Sequence, residues 1–174
     1  MKTVYMCFST DIIHGGHTDI INRASDLGSL TVGILTDEVV ASYRRFPVLK
    51  YDERVKLISS IKGVDKVVPQ HTLSYKENLR KLKPDYVVHG DNWVTGFQQP
   101  IREEVIQILN EYGGELIEYP YSHSKEYEAL ELKQREQLSM PDIRRKRLRE
   151  LLEMKSLVRV LEAHNGITGL LVEK

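Results

Sequence analysis

The sequence predicts an α/β domain built on a five-stranded, doubly wound parallel sheet, followed by a C-terminal helical extension. Three observations carry this. Short β-branched and aromatic runs alternate with amphipathic stretches of about 10–15 residues, the pattern of parallel strands joined by crossover helices. Three of the strand-like runs end in polar tips, FSTD, LTDE and HGDNW, which a parallel sheet gathers at its carboxyl edge, where ligands bind. From Ser122 onward the apolar runs give way to charged, helix-prone sequence.

Each element has its own warrant. Thr3 to Phe8 is a buried first strand, because its apolar run stops at small polar residues. In HTDIINRASDLG, Ile20, Ile21, Ala24 and Leu27 fall at helical spacing and Gly28 is a stop, so a helix begins near Thr18. LTVGILTDE reads as the second strand, YDERVKLISSIKG as a helix, VDKVVP as the third strand and YKENLRKLKP as the next helix. PDYVVHGDNW is the fourth strand with its tip, QPIREEVIQILNEYGG a helix, and ELIEYPY the fifth strand. Domain boundaries follow: 1–121 for the sheet domain, 122–156 for a charged helical linker, and 157–174 for the start of something further. In the linker, RRKRLRE interleaves with Leu148, Leu151 and Leu152 at helical spacing. That pattern is the solvated face of an amphipathic helix rather than a nucleic-acid patch.

Composition excludes several classes. A chain of 174 residues suffices for one well-buried domain of roughly 100–200 residues. Acidic and basic residues balance at 25 each, so no net field points to nucleic acid as a partner. Neither an export signal nor a membrane-spanning apolar run is legible. The single cysteine, Cys7, sits inside the first strand as a small hydrophobe, which suits a reducing cytoplasm.

The segment TDIIHGGH invites three readings. Two imidazoles at i and i+3 could share a metal ion, although a zinc site needs three or four protein ligands. The glycines could mark a plain strand-to-helix turn. Alternatively, the segment is an anion site, in which glycines let a phosphate approach the backbone, a helix N-terminus adds its positive end, and His14 and His17 supply hydrogen bonds. The third reading accounts for the most residues together.

FSTDIIHGGHTDIINRA resembles the signature of the cytidylyltransferase branch of the HxGH nucleotidyltransferases. The likeness continues in order through TVGILTDE, YDERVKLISSIKGVDKVVP and VVHGDNW, covering roughly residues 1–121. It implies a Rossmann-like nucleotidyltransferase fold, and an enzyme that uses CTP and Mg2+ and works as a homodimer. A phosphate or phosphonate oxygen attacks the α-phosphorus and pyrophosphate leaves. By the resemblance, His14 and His17 hold the triphosphate and the transition-state oxygens, and Asp11 orients a metal-bound water or the phosphate loop. Phe8, Ser9, Thr10, Gly15, Gly16, Arg54, Gly90, Asp91 and Trp93 then fall at the nucleotide. Read without it, Arg54 is also an exposed helix residue and Trp93 also a core residue. Arg44, Arg45 and Lys50, in the loop ASYRRFPVLK, are candidates for gripping an anionic substrate. No protein-chelated metal site is expected.

The far end, PDIRRKRLRELLEMKSLVRVLEAHNGITGLLVE, is similar to the linker and first strand of phosphoenolpyruvate mutase in fusions with an N-terminal cytidylyltransferase. That implies a small phosphonate acceptor, 2-hydroxyethylphosphonate first, and a parent protein fused to a mutase barrel of which only the threshold is present. The sequence departs from the family in one place. Relatives carry an Ile-Ser-Thr-Thr type segment after the last strand, where this chain has Lys125, Glu126, Tyr127 and Glu128. Ser122, His123 and Ser124 are partial substitutes. A degenerate, non-catalytic nucleotide-binding or assembly domain is therefore the alternative expectation.

Overall fold

The computed structural model describes residues 1–9, 13–43, 47 and 49–120, and a few single positions beyond them. Two units divide the chain, Met1–Leu132 and Lys133–Lys174, and the fold below belongs to the first. In the second, residues 146, 148, 149, 152 and 153 are helical, as the leucine spacing predicts. Among the described residues no helix is long and apolar enough to cross a membrane.

Five parallel strands form one sheet: β1 (Thr3–Phe8), β2 (Ser29–Leu35), β3 (Lys66–Gln70), β4 (Tyr86–Gly90) and β5 (Glu115–Tyr119), in the spatial order β3-β2-β1-β4-β5. The helices are α1 (Gly15–Leu27), α2 (Asp37–Tyr43), α3 (Tyr51–Ser59), α4 (Lys76–Leu82) and α5 (Gln99–Asn110), with a 3-10 turn at Asp91–Trp93. Strand order reverses direction at β1, so the crevice between β1 and β4 is the topological switch point at which such sheets bind ligands.

Polar anchors set the register at the amino edge. Asp85, just before β4, accepts from Lys2 Nζ at 2.7 Å and from the Thr3 backbone N–H at 2.8 Å, and aligns β4 with β1. Asp65 does the same between β3 and β2, accepting from the Leu30 N–H at 2.9 Å. At the start of β2, a Cβ on Gly28 would lie 2.2 Å from the Lys2 carbonyl oxygen. Only glycine admits that approach.

Alternation along β1 divides the core in two. Val4, Met6 and Phe8 join Ile21, Ala24, Ile34 and Ile58 on the α1 and α3 face. Tyr5 and Cys7 join Tyr75, Leu79, Trp93, Val105 and Ile108 on the α4 and α5 face. Two departures from the sequence reading stand out. The helix α1 starts at Gly15, not near Thr18, because the His14 side chain caps it before the glycines. The tip LTDE does not continue the strand: Asp37 and Glu38 open α2, whose Val39 and Val40 bury against Leu35. Carboxylates in a first turn favour helix over strand.

Inside the second core, a Cβ on Gly33 would meet the Tyr5 hydroxyl at 2.0 Å. Glycine there makes room for the tyrosine. Gly33→Ala is therefore expected to destabilise the domain by about 1–3 kcal/mol through overpacking, and chemical denaturation monitored by circular dichroism measures it.

Candidate active site

The His14–His17 pair sits where β1 hands over to α1. His14 has extended backbone geometry, its Nδ1 accepts the Gly16 N–H at 3.1 Å, and its carbonyl accepts from His17 N at 2.9 Å. This makes histidine the N-cap, a role in which its ring nitrogen replaces the usual oxygen. Because Nδ1 accepts, the neutral ring carries its proton on Nε2 and presents a donor there. One turn on, His17 is buried; its ring lies 3.9 Å from that of His14, centre to centre, and Phe8 meets it edge-on at 5.3 Å. Burial, reinforced by the neighbouring His14, pushes the His17 pKa down to about 4, and burial lowers that of His14. Both rings are neutral near pH 7.

Gly15 is exposed, and among the described residues nothing beyond its own neighbours and helix backbone lies within 4 Å of a Cβ built on it. Neither strain nor packing requires glycine at that position. At the first turn of α1 the N–H groups of Gly16, His17 and Thr18 are held by His14, while the exposed Gly15 leaves the backbone approachable and the helix dipole is positive, which suits an anion. The arrangement does not resemble a metal cage: among the described residues no group of three or more His, Cys, Asp or Glu side chains could hold a metal ion.

Arg54 is not the exposed helix residue that one reading of the sequence allows. It is fully buried, with Nη2 donating to Asp37 Oδ1 at 2.6 Å and Nε donating to the Leu49 carbonyl at 3.2 Å. Asp37 also accepts from the Tyr51 N–H at 3.1 Å. The pair clamps the entry of α2 to the entry of α3 and so fixes the ends of the loop between them. Lys50, exposed, is the residue before α3, and its carbonyl accepts from the N–H groups of Glu53 and Arg54 at 3.0 Å. Thr10, Asp11, Arg44 and Arg45 lie outside the described residues, as does the segment Lys125–Glu128.

At the end of β4, Gly90 leads into the 3-10 turn, with Asp91 exposed and Trp93 fully buried. Trp93 stacks on His89 at 3.7 Å with 9° between planes, and its Nε1 donates to Glu118 Oε1 at 2.6 Å. Arg102 holds the same carboxylate in a two-pronged pair, both contacts 2.8 Å. Phe8 and Ser9 thus stand at the carboxyl end of β1 with the histidines, whereas Trp93 belongs to the opposite face of the sheet. There it lines a cavity of about 50 Å³, together with Cys7, Ser9, Gln70, Tyr75 and His89. Burial raises the Cys7 thiol to about 12, so it stays protonated. Gln70 and His89 are site-forming residues that the sequence reading passed over. Gln70 is the polar tip of VVPQ, and the criterion applied to the other three tips also selects it.

The model of the cytidylyltransferase-like family matches residues 7–146. The chain belongs to that family. Ethanolamine-phosphate cytidylyltransferase of Mus musculus is 38% identical over 84 residues, which are 47% of this chain and 21% of that protein. FAD synthase of Methanopyrus kandleri is 33% identical over 84 residues, 46% of this chain and 56% of that one. The cytidylyltransferase-like chain therefore spans well under two thirds of either relative. A lipopolysaccharide core biosynthesis protein from Thermoplasma volcanium has the same fold, with a TM-score of 0.59 at 23% identity over 72% of this chain and 99% of that one.

Two outcomes follow from the site. His17 has a folded pKa near 4, below the 6.5 of free imidazole, so between those values the unfolded chain binds a proton that the native chain refuses. Stability is expected to fall by up to about 3 kcal/mol as pH drops through that window and to level off below it. Denaturant midpoints from pH 7.5 to 3.5 measure this, and His17→Gln should flatten the curve. Asp37→Ala, which leaves the buried Arg54 guanidinium without its carboxylate, is expected to cost about 3–5 kcal/mol, again read by denaturation.

Proposed function

We propose that the chain is a CTP-dependent cytidylyltransferase domain that transfers CMP to a small phosphonate, with 2-hydroxyethylphosphonate as first candidate. The single observation that carries the transfer reading is the neutral His14–His17 pair on the capped, uncovered N-terminus of α1, in a chain of the cytidylyltransferase-like family. The phosphonate preference rests on the likeness of the C-terminal segment to mutase fusions. The likeness to ethanolamine-phosphate cytidylyltransferase, whose name joins a phosphorylated alcohol to cytidylyl transfer, supports an acceptor with an anionic oxygen.

In this reading an oxygen of the acceptor's phosphonate attacks the α-phosphorus of CTP. A new P–O bond forms, the bond to the β-phosphate oxygen breaks, and pyrophosphate carries away the negative charge. The products are the cytidylylated phosphonate and pyrophosphate. No proton need move in the chemical step, since the attacking oxygen is already anionic. The task of the protein is alignment and stabilisation of charge on the equatorial oxygens. The positive end of the α1 dipole and the Nε2–H of His14 suit that task, already oriented before the nucleotide arrives. Magnesium, when present, neutralises triphosphate charge.

Purified protein given CTP, magnesium and 2-hydroxyethylphosphonate is expected to release pyrophosphate, and His17→Ala is expected to lower kcat by about a hundred- to a thousandfold with a much smaller change in CTP affinity. Pyrophosphate release measured by a coupled assay, alongside CTP binding by calorimetry, checks both. CTP binding without turnover on any phosphonate or phosphate acceptor favours the non-catalytic alternative.

A further inference from the structure

We infer that the cavity beside Trp93 receives the uncharged hydroxyl end of the acceptor, and that Gln70 selects an alcohol over an ammonium there. The inference rests on the transfer reaction proposed above and adds the group that the protein reads.

The orientation of the Gln70 amide follows from its neighbours. Asn78 Nδ2 donates to the Pro69 carbonyl at 3.0 Å and to the Tyr5 hydroxyl at 2.9 Å. Tyr5 thus receives a hydrogen bond from Asn78, and its own proton goes to Gln70 Oε1. With Oε1 occupied as acceptor, the other end of the amide is the NH2. That nitrogen is buried and has no hydrogen-bond partner among the described residues. Gln70 itself is 3% exposed and lines the cavity. A buried amide donor left unmatched costs about 1–3 kcal/mol, a cost that an acceptor atom of a ligand removes.

The opposing group has the complementary character. His89 also lines the cavity, and its Nδ1 lies 2.7 Å from the Gly90 carbonyl oxygen. A carbonyl only accepts, so Nδ1 carries the proton and Nε2 is an acceptor. Burial lowers the His89 pKa and keeps the ring neutral. Gln70 and His89 therefore supply one donor and one acceptor between them, in a lining whose other polar groups, those of Ser9, Tyr75 and Gln98, are also uncharged. A hydroxyl, which both accepts and donates, matches the pair. An ammonium has no lone pair for Gln70.

Charge and aromatic faces point the same way. Among the described residues no Lys, Arg, Asp or Glu lines the cavity, and the nearby Glu118 carboxylate is already held by Arg102 and Trp93, so no charge in the lining compensates a buried ammonium. Trp93, the ring best suited to attract a cation, has a face covered by His89. Leu35, Leu73 and Ile101 complete an apolar wall against which a two-carbon chain packs. The phosphonate then extends toward Ser9 and the end of β1.

The chain has a single tryptophan, Trp93, and its emission reports on the cavity without any reaction. Titration of the whole chain with 2-hydroxyethylphosphonate and with 2-aminoethylphosphonate at pH 8, with and without CTP, compares two probes that differ only in the terminal group. The alcohol is expected to change Trp93 emission and to bind at least about tenfold more tightly than the amine. Gln70→Glu keeps an acceptor for Tyr5 and replaces the donor by a carboxylate oxygen, so the preference should shift toward the amine by at least about tenfold. Gln70→Met, which removes the donor and adds no charge, should weaken the alcohol alone; circular dichroism confirms that each variant is folded. Equal binding of the two probes, an unchanged ratio in both folded variants, or no change in Trp93 emission overturns the inference. Pyrophosphate release separates it from the function it rests on. Turnover that ignores Gln70 sinks the cavity assignment alone, whereas Gln70-dependent binding without turnover sinks the transfer reading alone.

Discussion

Strand β1 is covered on both faces, and most of the architecture depends on that constraint. A strand buried on two sides needs apolar or fully bonded side chains at every position, and β1 supplies Val4, Met6 and Phe8 to one face and Tyr5 and Cys7 to the other. Tyr5 is the exception that shapes the second face. Its hydroxyl must be satisfied in a dry interior, which draws Asn78 from α4 and Gln70 from the end of β3 to the same point. Glycine at position 33 of the neighbouring strand leaves the space. One polar atom on the central strand thus sets the positions of three elements.

The same constraint separates the two halves of the site. Helix α1 leaves β1 on the Phe8 face and carries the histidines, whereas the cavity lies on the Tyr5 and Cys7 face, and the end of β1 at Phe8 and Ser9 is where they approach each other. Two ion pairs hold the surrounding loops. Asp37–Arg54 ties the entries of α2 and α3 together, and Glu118 joins Arg102 to Trp93. The first is buried on its cationic side and the second is partly exposed, so their energetic weights differ. Removing a partner from the first leaves a charge in a dry interior, while the second is screened by water and acts mainly through the direction it imposes on the tryptophan.

Local patterns made the strands legible. Each has a short apolar run bounded by polar or turn residues, and β1 falls at Thr3–Phe8, the limits its composition predicts. The beginning of α1 was not legible to the residue, because histidine is an unusual cap and two glycines ordinarily weaken a helix; only the Nδ1 to Gly16 bond shows why the helix starts there. Helix α2 was hidden inside what reads as a strand tip and a loop. Arg54 followed the helical pattern of an exposed residue, yet its partner, Asp37, comes from a different tip. The HGGH segment was visible since all its chemistry lies within a few residues. The cavity was not, since its lining comes from the ends of four strands and from α5, and only the sheet order brings them together. Gln70 and His89 carry no local mark of function.

Neutral imidazoles at one end of the proposed site and a neutral lining at the other have a common physical origin. Both sit against the buried sheet, where an unpaired charge is expensive and an oriented dipole is not. A protein that binds a triphosphate with fixed lysines stabilises the ground state and the transition state alike. One that offers the positive end of a helix and uncharged imidazole donors, aimed in advance, gains most when charge accumulates on the equatorial oxygens during transfer. A developing negative charge also favours protonation of an imidazole that burial otherwise holds neutral, so in the proposed transfer the low pKa of His17 leaves the greatest room for response. In the proposed transfer, burial of His17 beside the His14 cap is thus the feature that converts a capped helix end from a place where anions rest into one where their rearrangement is stabilised.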